Sequence, residues 1–417
     1  MRVLKVPGFA LLLFGQAVNT TGSWISLIAI WGFAAFRYDV SPGGLAVLFV
    51  VLSVPGALLG PALGVPIDRF GPKAMLVVAN VLGMLDALAL TQAHSYVQII
   101  LLALPLGLID ALARASLDAI PPRIVPDEQL VRANALLGGA QDLAIVVGPA
   151  LAALVNSHWG ISGAFAIDAV TWFVGALVAL RMRVPHTRRE RAEGVTSWHE
   201  LREGGRLARR TPGLRWTLGV AASVYALWAV FGVLEPLYVR DVLHESAATF
   251  ALLQTVFGIG LVTTSLVLAA WGDRLVRPTV IGGAVVASGL TAALYLGTSS
   301  VTVAFVGVFL WGIDVAFFYV PARTLLQRYA PEAFHGRVMA LNHSLEPAAG
   351  IVMTPLAAVA LLVVSVSVLG VAAGLLATVG GIFVLRRARR LPVPGPAADE
   401  LPPSTRDAIG LGGAPPG

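Results

Sequence analysis

The stretch Gly64-Val65-Pro66-Ile67-Asp68-Arg69-Phe70-Gly71-Pro72-Lys73 sets an aspartate, an arginine and a lysine around a Gly-Pro turn. The chain on either side is apolar, over residues 44–66 before the turn and 74–93 after it. About 20 mostly apolar residues are needed to cross a bilayer as an α-helix. The charged turn therefore reads as a loop at one membrane face, joining two spans.

The same window, carried outward, marks further spans over 9–33, 96–118, 134–156, 161–181, 216–239, 248–270, 279–297, 301–323, 338–362 and 366–385. The expected fold is an all-α membrane protein of twelve transmembrane helices. Composition agrees: 57% of the 417 residues are hydrophobic and 12% are charged, with a mean hydropathy of +0.81. A soluble domain carries about 25% charged residues. A water-soluble chain of this composition would expose large apolar patches.

Charge sets the orientation. Of the 29 Lys and Arg residues, all but Arg37, Arg114 and Arg240 fall in alternate segments between the spans. By the positive-inside rule those segments are cytoplasmic, as are both termini of a multi-pass protein of the cell inner membrane. The net charge of +6 is spread over these loops and forms no single basic face, so no nucleic-acid partner is expected. There is no Cys, which excludes disulfides and thiolate metal sites. The chain has no Walker A loop, no H-E-x-x-H, no G-x-S-x-G and no dinucleotide fingerprint after a strand, so no enzyme activity, cofactor or metal is expected.

The longest polar stretch, 182–215, separates six spans (1–181) from six more (216–385). Its second part, 198–210, reads either as a helix lying on anionic headgroups or as a solvated linker. The Pro- and Gly-rich end, 386–417, is expected to be disordered.

The halves repeat. A shift of 205 residues carries Asp68-Arg69 onto Asp273-Arg274, and Arg123, Pro126, Arg132, Ala135 and Leu136 onto Arg328, Pro331, Arg337, Ala340 and Leu341. Both halves start on the same side, as in parallel repeats related by an axis along the membrane normal.

With the repeat in place, the Gly64–Lys73 turn resembles the G-x-x-x-D-R-x-G-R-K loop of the major facilitator superfamily, with Pro72 where that pattern has a basic residue. Ala269-Ala270-Trp271-Gly272-Asp273-Arg274 is a degenerate second copy, and Gly148-Pro149-Ala150-Leu151-Ala152-Ala153 resembles the antiporter motif ending G-P-x-x-G-G. The segments 125–136, 207–215 and Gly336-Arg337-Val338-Met339 resemble the drug and siderophore efflux branch. The resemblance implies two pseudo-symmetric six-helix bundles around a central cavity. It also implies proton-coupled export of a small, partly apolar compound by alternating access, with the substrate, protons and lipid as partners. An importer on the same fold, or a membrane sensor or assembly protein without transport, are the other readings. A monomer is expected.

Candidate residues follow. The resemblance implies that Asp68 latches onto the start of the eleventh span near Gly336; a purely topogenic turn is the alternative. Asp118 is the expected partner of Arg69 or Lys73, and Asp273 and Arg274 form the second latch. Acids at membrane depth are costly unless they face protein or water. Asp142, Asp314, Glu346 and Glu235 are proton-coupling candidates, while Asp86 and Asp168, on the third and sixth spans, read as structural hydrogen-bonders. Asp110 and Arg114 are one helical turn apart and suit an internal ion pair. Gln16, Asn19, Thr20 and Ser23 form a polar stripe that faces either a neighbouring helix or a cavity. Trp228, Phe231 and Tyr238 line a drug cavity or pack as core. Gly148 and Pro149 mark a close helix contact.

Overall fold

The computed structural model describes residues 3–6, 8–185, 197–331 and 334–391. Residues 186–196 of the central loop and 392–417 of the tail lie outside the described residues, as do the side chains of Asp142 and Asp273. Among the described residues the chain forms only helices and turns. The first half contains α1 (Phe9–Gly32), α2 (Pro42–Leu59), α3 (Gly64–Phe70), α4 (Pro72–Thr91), α5 (Tyr96–Asp118), α6 (Pro121–Ile124) and α7 (Asp127–Arg181). An intervening helix, α8 (Ser197–Arg210), leads to α9 (Pro212–Asp241), α10 (Ala247–Trp271), α11 (Pro278–Gly297), α12 (Val301–Tyr329), α13 (His335–Ala360) and α14 (Val366–Ala388).

Nine segments among the described residues are long and apolar enough to cross a membrane, two of them, Leu136–Asn156 and His158–Arg181, within α7. The helices α1, α2 and α13 are the three further elements that the expected count of twelve requires. Of these three, α2 is only 18 residues long. Polar residues interrupt α1 (Gln16, Asn19, Thr20, Ser23) and α13 (Asn342, His343, Glu346), which is tolerable in a bilayer only where they face protein or water.

Three local outcomes differ from the sequence expectation. The loop between the fifth and sixth spans is reduced to a break at Gly160, whose non-helical backbone at φ 66° and ψ −176° divides α7 into two helices. Glycine reaches that left-handed φ without a Cβ clash. The second span does not continue to residue 66. It ends at Leu59, passes through a 3₁₀ turn at Gly60–Leu63, and the Asp68 loop itself is the short helix α3. Gly71, at φ 85°, stops α3, and Pro72 opens α4, where its missing N–H costs nothing. Finally, α8 turns its apolar side to the protein. Leu207 and Ala208 are buried, and Glu203 pairs with Arg337 of α13 at 3.0 Å.

The sequence repeat is also a packing repeat. A Cβ on Gly107 of α5 would collide with the Leu52 carbonyl of α2. A shift of 205 residues finds the same contact, Gly312 of α12 against the Phe257 carbonyl of α10. Backbones approach this closely only at small residues, and in lipid such packing drives helix association. Between the halves, α2 packs on α13 and α7 on α10, again an equivalent pair.

Candidate functional site

A cavity of about 660 Å³ lies between the halves. Its volume falls within the roughly 300–1,000 Å³ range of small-molecule sites. The wall reaches Leu117 on α5, Arg323 on α12 and Met339 on α13, so it extends toward the end where the arginine-rich loops lie. The opposite end is filled by a core that includes Phe33, Leu234, Leu237, Tyr238 and Phe250. Across it, Phe36 and Phe250 meet with ring centroids 6.3 Å apart.

The polar stripe of α1 faces this space: Gln16, Asn19, Thr20 and Ser23 all border the cavity. Asn19 also donates to Asn80 of α4 at 3.4 Å, so the stripe serves both helix contact and cavity wall. Asp110 and Arg114 of α5 line the next side, with Arg114 Nη2 3.8 Å from Asp110 Oδ2. Trp228 of α9 and Glu346 of α13 line the far side.

Two of the coupling candidates lie away from the cavity wall. Asp314 is held between α12 and α11, accepting from Thr291 Oγ1 at 2.9 Å. Glu235 is buried and accepts from Gln254 Nε2 of α10 at 3.0 Å. Phe231 and Tyr238 are core, not wall: Phe231 packs edge-on against Trp311 at 5.1 Å, and Tyr238 donates to the Thr298 carbonyl at 2.7 Å.

In the charged turn, Asp68 is half-buried at the end of α3. Lys73 Nζ donates to the Leu180 carbonyl at 2.9 Å, tying α4 to the end of α7. The Arg69 guanidinium lies 5.2 Å from the centroid of the Phe70 ring. Asp118, at the end of α5, feels the charge of Arg114 one turn back. Arg274 is exposed. In α7, which contains Pro149, a Cβ on Gly148 would strike Trp24 of α1, so the Gly-Pro motif marks a close approach of these two helices.

Several wall residues were not singled out in the sequence. Trp228 stacks on Tyr319 of α12 with centroids 5.7 Å apart and planes at 4°. Asn342 donates to the Tyr225 hydroxyl at 3.3 Å. Tyr225 precedes Trp228 by three residues, so helical spacing could have found it. Tyr319 belongs to another helix, and only the fold supplies it. Asp168 accepts from Thr171 Oγ1 and Trp172 Nε1, both at 3.2 Å, as a structural acid would, yet it also borders the cavity.

Comparison with known proteins places this architecture. Over 345 residues the chain is 26% identical to Macrolide efflux protein A of Streptococcus pyogenes, covering 79% of this chain and 84% of that protein. The nucleoside transporter NupG superposes with a TM-score of 0.69 at 12% identity, covering 92% of this chain and 98% of that one. A bacterial homolog of the human lysosomal transporter Spinster, in an inward-facing and unoccupied conformation, superposes with a TM-score of 0.66 at 14% identity, over 92% and 95% of the two chains. The family model described as Major Facilitator Superfamily matches residues 12–234 and 217–412, and with that match the chain belongs to the Major Facilitator Superfamily of transporters.

Proposed function

We propose that this transporter exports a small, partly apolar, drug-like compound from the cytoplasm in exchange for protons. The cavity carries the reading. The wall combines aromatic faces, with Trp228 stacked on Tyr319, and the carboxyls of Asp110 and Glu346. Aromatic faces and apolar helices take up the hydrophobic body of a solute, and a small number of polar groups orient it. The similarity to a macrolide efflux protein supports export of this kind of compound.

With the arginine-rich loops in the cytoplasm of a cell whose inner membrane holds the protein, the cavity faces inward, where an exporter loads. Substrate enters between α5, α12 and α13. Opening the far end then requires separating the contacts between the halves around Phe36 and Phe250. A carboxyl in low dielectric favours its protonated form, and hydration favours the ionised form. Alternating exposure of the cavity acids thus supplies a proton step.

The test is transport in proteoliposomes containing the purified chain, with an imposed pH gradient and a panel of compounds that includes erythromycin. Accumulation that follows the gradient and collapses with a protonophore supports the reading. Uptake of panel compounds that is indifferent to the gradient removes the proton coupling, and no transport of any panel member removes the drug-like substrate class.

A further inference from the structure

A groove of about 320 Å³ lies between the start of α9 and the end of α14, and it shares no residue with the wall of the central cavity. From α9 it takes Arg215, Trp216, Gly219 and Ser223, which helical spacing sets on one face, and from α14 Phe383 and Arg387, one turn apart. The two arginines stand nearest the helix ends, and the rest of the groove runs into the span. At 1.5 Å per residue, Arg215 to Ser223 covers about 12 Å of helix. Beyond Phe383, α14 carries Val379 and Leu376 as exposed side chains on the same side. On a helix that crosses a membrane, such a strip meets acyl chains. A Cβ on Gly219 would meet nothing within 4 Å, so the floor of the groove is open space.

The groove holds donors without acceptors. Arg215 and Arg387 are exposed, and among the described residues neither is ion-paired. No acid lies on α14, or on α9 before Glu235. Trp216 is 8% exposed, and its Nε1–H has no hydrogen-bond partner among the described residues. A buried indole N–H ordinarily finds an acceptor. Orientation of the chain in the membrane explains arginines at this end, but it explains neither the apolar groove beside them nor the unpaired indole.

We infer that this groove binds an anionic phospholipid of the leaflet on the arginine-rich side. Its phosphate sits between Arg215 and Arg387, a glycerol ester oxygen accepts from Trp216, and an acyl chain lies along Gly219, Ser223 and Phe383. A guanidinium offers parallel N–H donors that match a phosphate, and a basic pocket between spans at a membrane face selects anionic head groups. The apolar channel below the arginines is what a free phosphate would leave unused. The site involves no residue of the central cavity and does not depend on the proposed export.

Native mass spectrometry of the full-length chain, released from detergent micelles with added phosphatidylglycerol or phosphatidylcholine, tests the site. Wild type should retain phosphatidylglycerol more tightly than phosphatidylcholine. Arg215→Gln combined with Arg387→Gln should weaken that retention by about tenfold or more. Arg386→Gln, which removes an exposed arginine of α14 outside the groove, should leave it unchanged. Gly219→Leu fills the floor, keeps both arginines and clashes with nothing, and it should weaken phosphatidylglycerol binding too. Equal retention of the two lipids by wild type, or full retention of phosphatidylglycerol by the double variant, overturns the proposal. So does binding that Gly219→Leu leaves intact or that inorganic phosphate displaces, since either result makes the arginines a site for soluble anions.

Discussion

Asp39 Oδ1 lies 2.8 Å from Arg240 Nη1, joining the end of the first span to the end of the seventh across the two halves. The same guanidinium donates to the Ala35 carbonyl at 2.9 Å and the Val40 carbonyl at 3.2 Å, and it is braced by its neighbour Asp241 at 2.6 Å. Asp39 holds a left-handed backbone, φ 47°, unusual for a residue with a Cβ. The contact ties the halves together at the end opposite the cavity, and in the proposed alternating-access cycle it opens.

Arg240→Ala should therefore favour the outward-open state. The Asp39 pairing, 85% exposed on the aspartate side, contributes little; the part-buried charge-assisted hydrogen bonds to the two carbonyls set a loss of about 1.5–3 kcal/mol, so the population should shift by roughly tenfold to a hundredfold. The chain has no native cysteine, and a probe at buried Leu237→Cys can report the opening directly. Labelling by an impermeant thiol reagent should accelerate correspondingly when Arg240 is removed. An unchanged rate would show that the clasp contributes nothing to closure.

The glycine crossings predict stability. Gly107→Val and Gly312→Val each drive a side chain into a backbone carbonyl that cannot yield. Overpacking costs about 1–3 kcal/mol even where side chains can move. Both variants should lower the thermal midpoint in detergent, and by similar amounts. Gly139→Ala, which meets nothing within 4 Å, should leave it unchanged.

At the arginine-rich end, Asp68→Asn should reduce transport by about tenfold or more, equivalent to about 1.4 kcal/mol, at matched membrane expression. Asp273→Asn should be milder, because its loop has no glycine or basic residue at the motif positions held by Gly71 and Lys73. Equal and small effects would return the turn to a purely topogenic role.

The candidate coupling acids and the aromatic wall should behave differently. Glu346→Gln should abolish accumulation driven by a pH gradient while binding, followed by tryptophan quenching, persists. Trp228→Ala should do the reverse, weakening binding by about tenfold, the size of one lost aromatic contact of about 1–1.5 kcal/mol. Asp314→Asn, Asp142→Asn and Glu235→Gln complete the series. If all four acid variants keep gradient-driven accumulation with wild-type pH dependence, the coupling group lies elsewhere.

Orientation has its own check. A cysteine at Asp39 should react with an impermeant reagent in intact cells, whereas cysteines at Arg188 and Ser404 should be protected until the cells are permeabilised. Labelling of the Arg188 position from outside would invert the topology.

Span positions, the repeat and the alternation of charge were all legible in the amino-acid order, because hydropathy and loop charge are local properties that a bilayer reads one segment at a time. The α1 stripe was legible for the same reason, since a 3.6-residue period fixes which side chains share a face. Rotation of each helix about its axis was not. Asp110 and Asp314 are 204 residues apart, one short of the repeat; one borders the cavity and the other is bonded to Thr291. Phe231 and Trp228 share α9, yet one is core and the other wall. Arg240 read only as a charge outside the membrane until Ala35, Val40 and Asp39 were brought to it from 200 residues away. Which neighbour a side chain meets depends on how whole helices pack, through contacts such as Leu52 on Gly107, and only tertiary structure settles that, because its energy belongs to pairs of segments and to neither one alone.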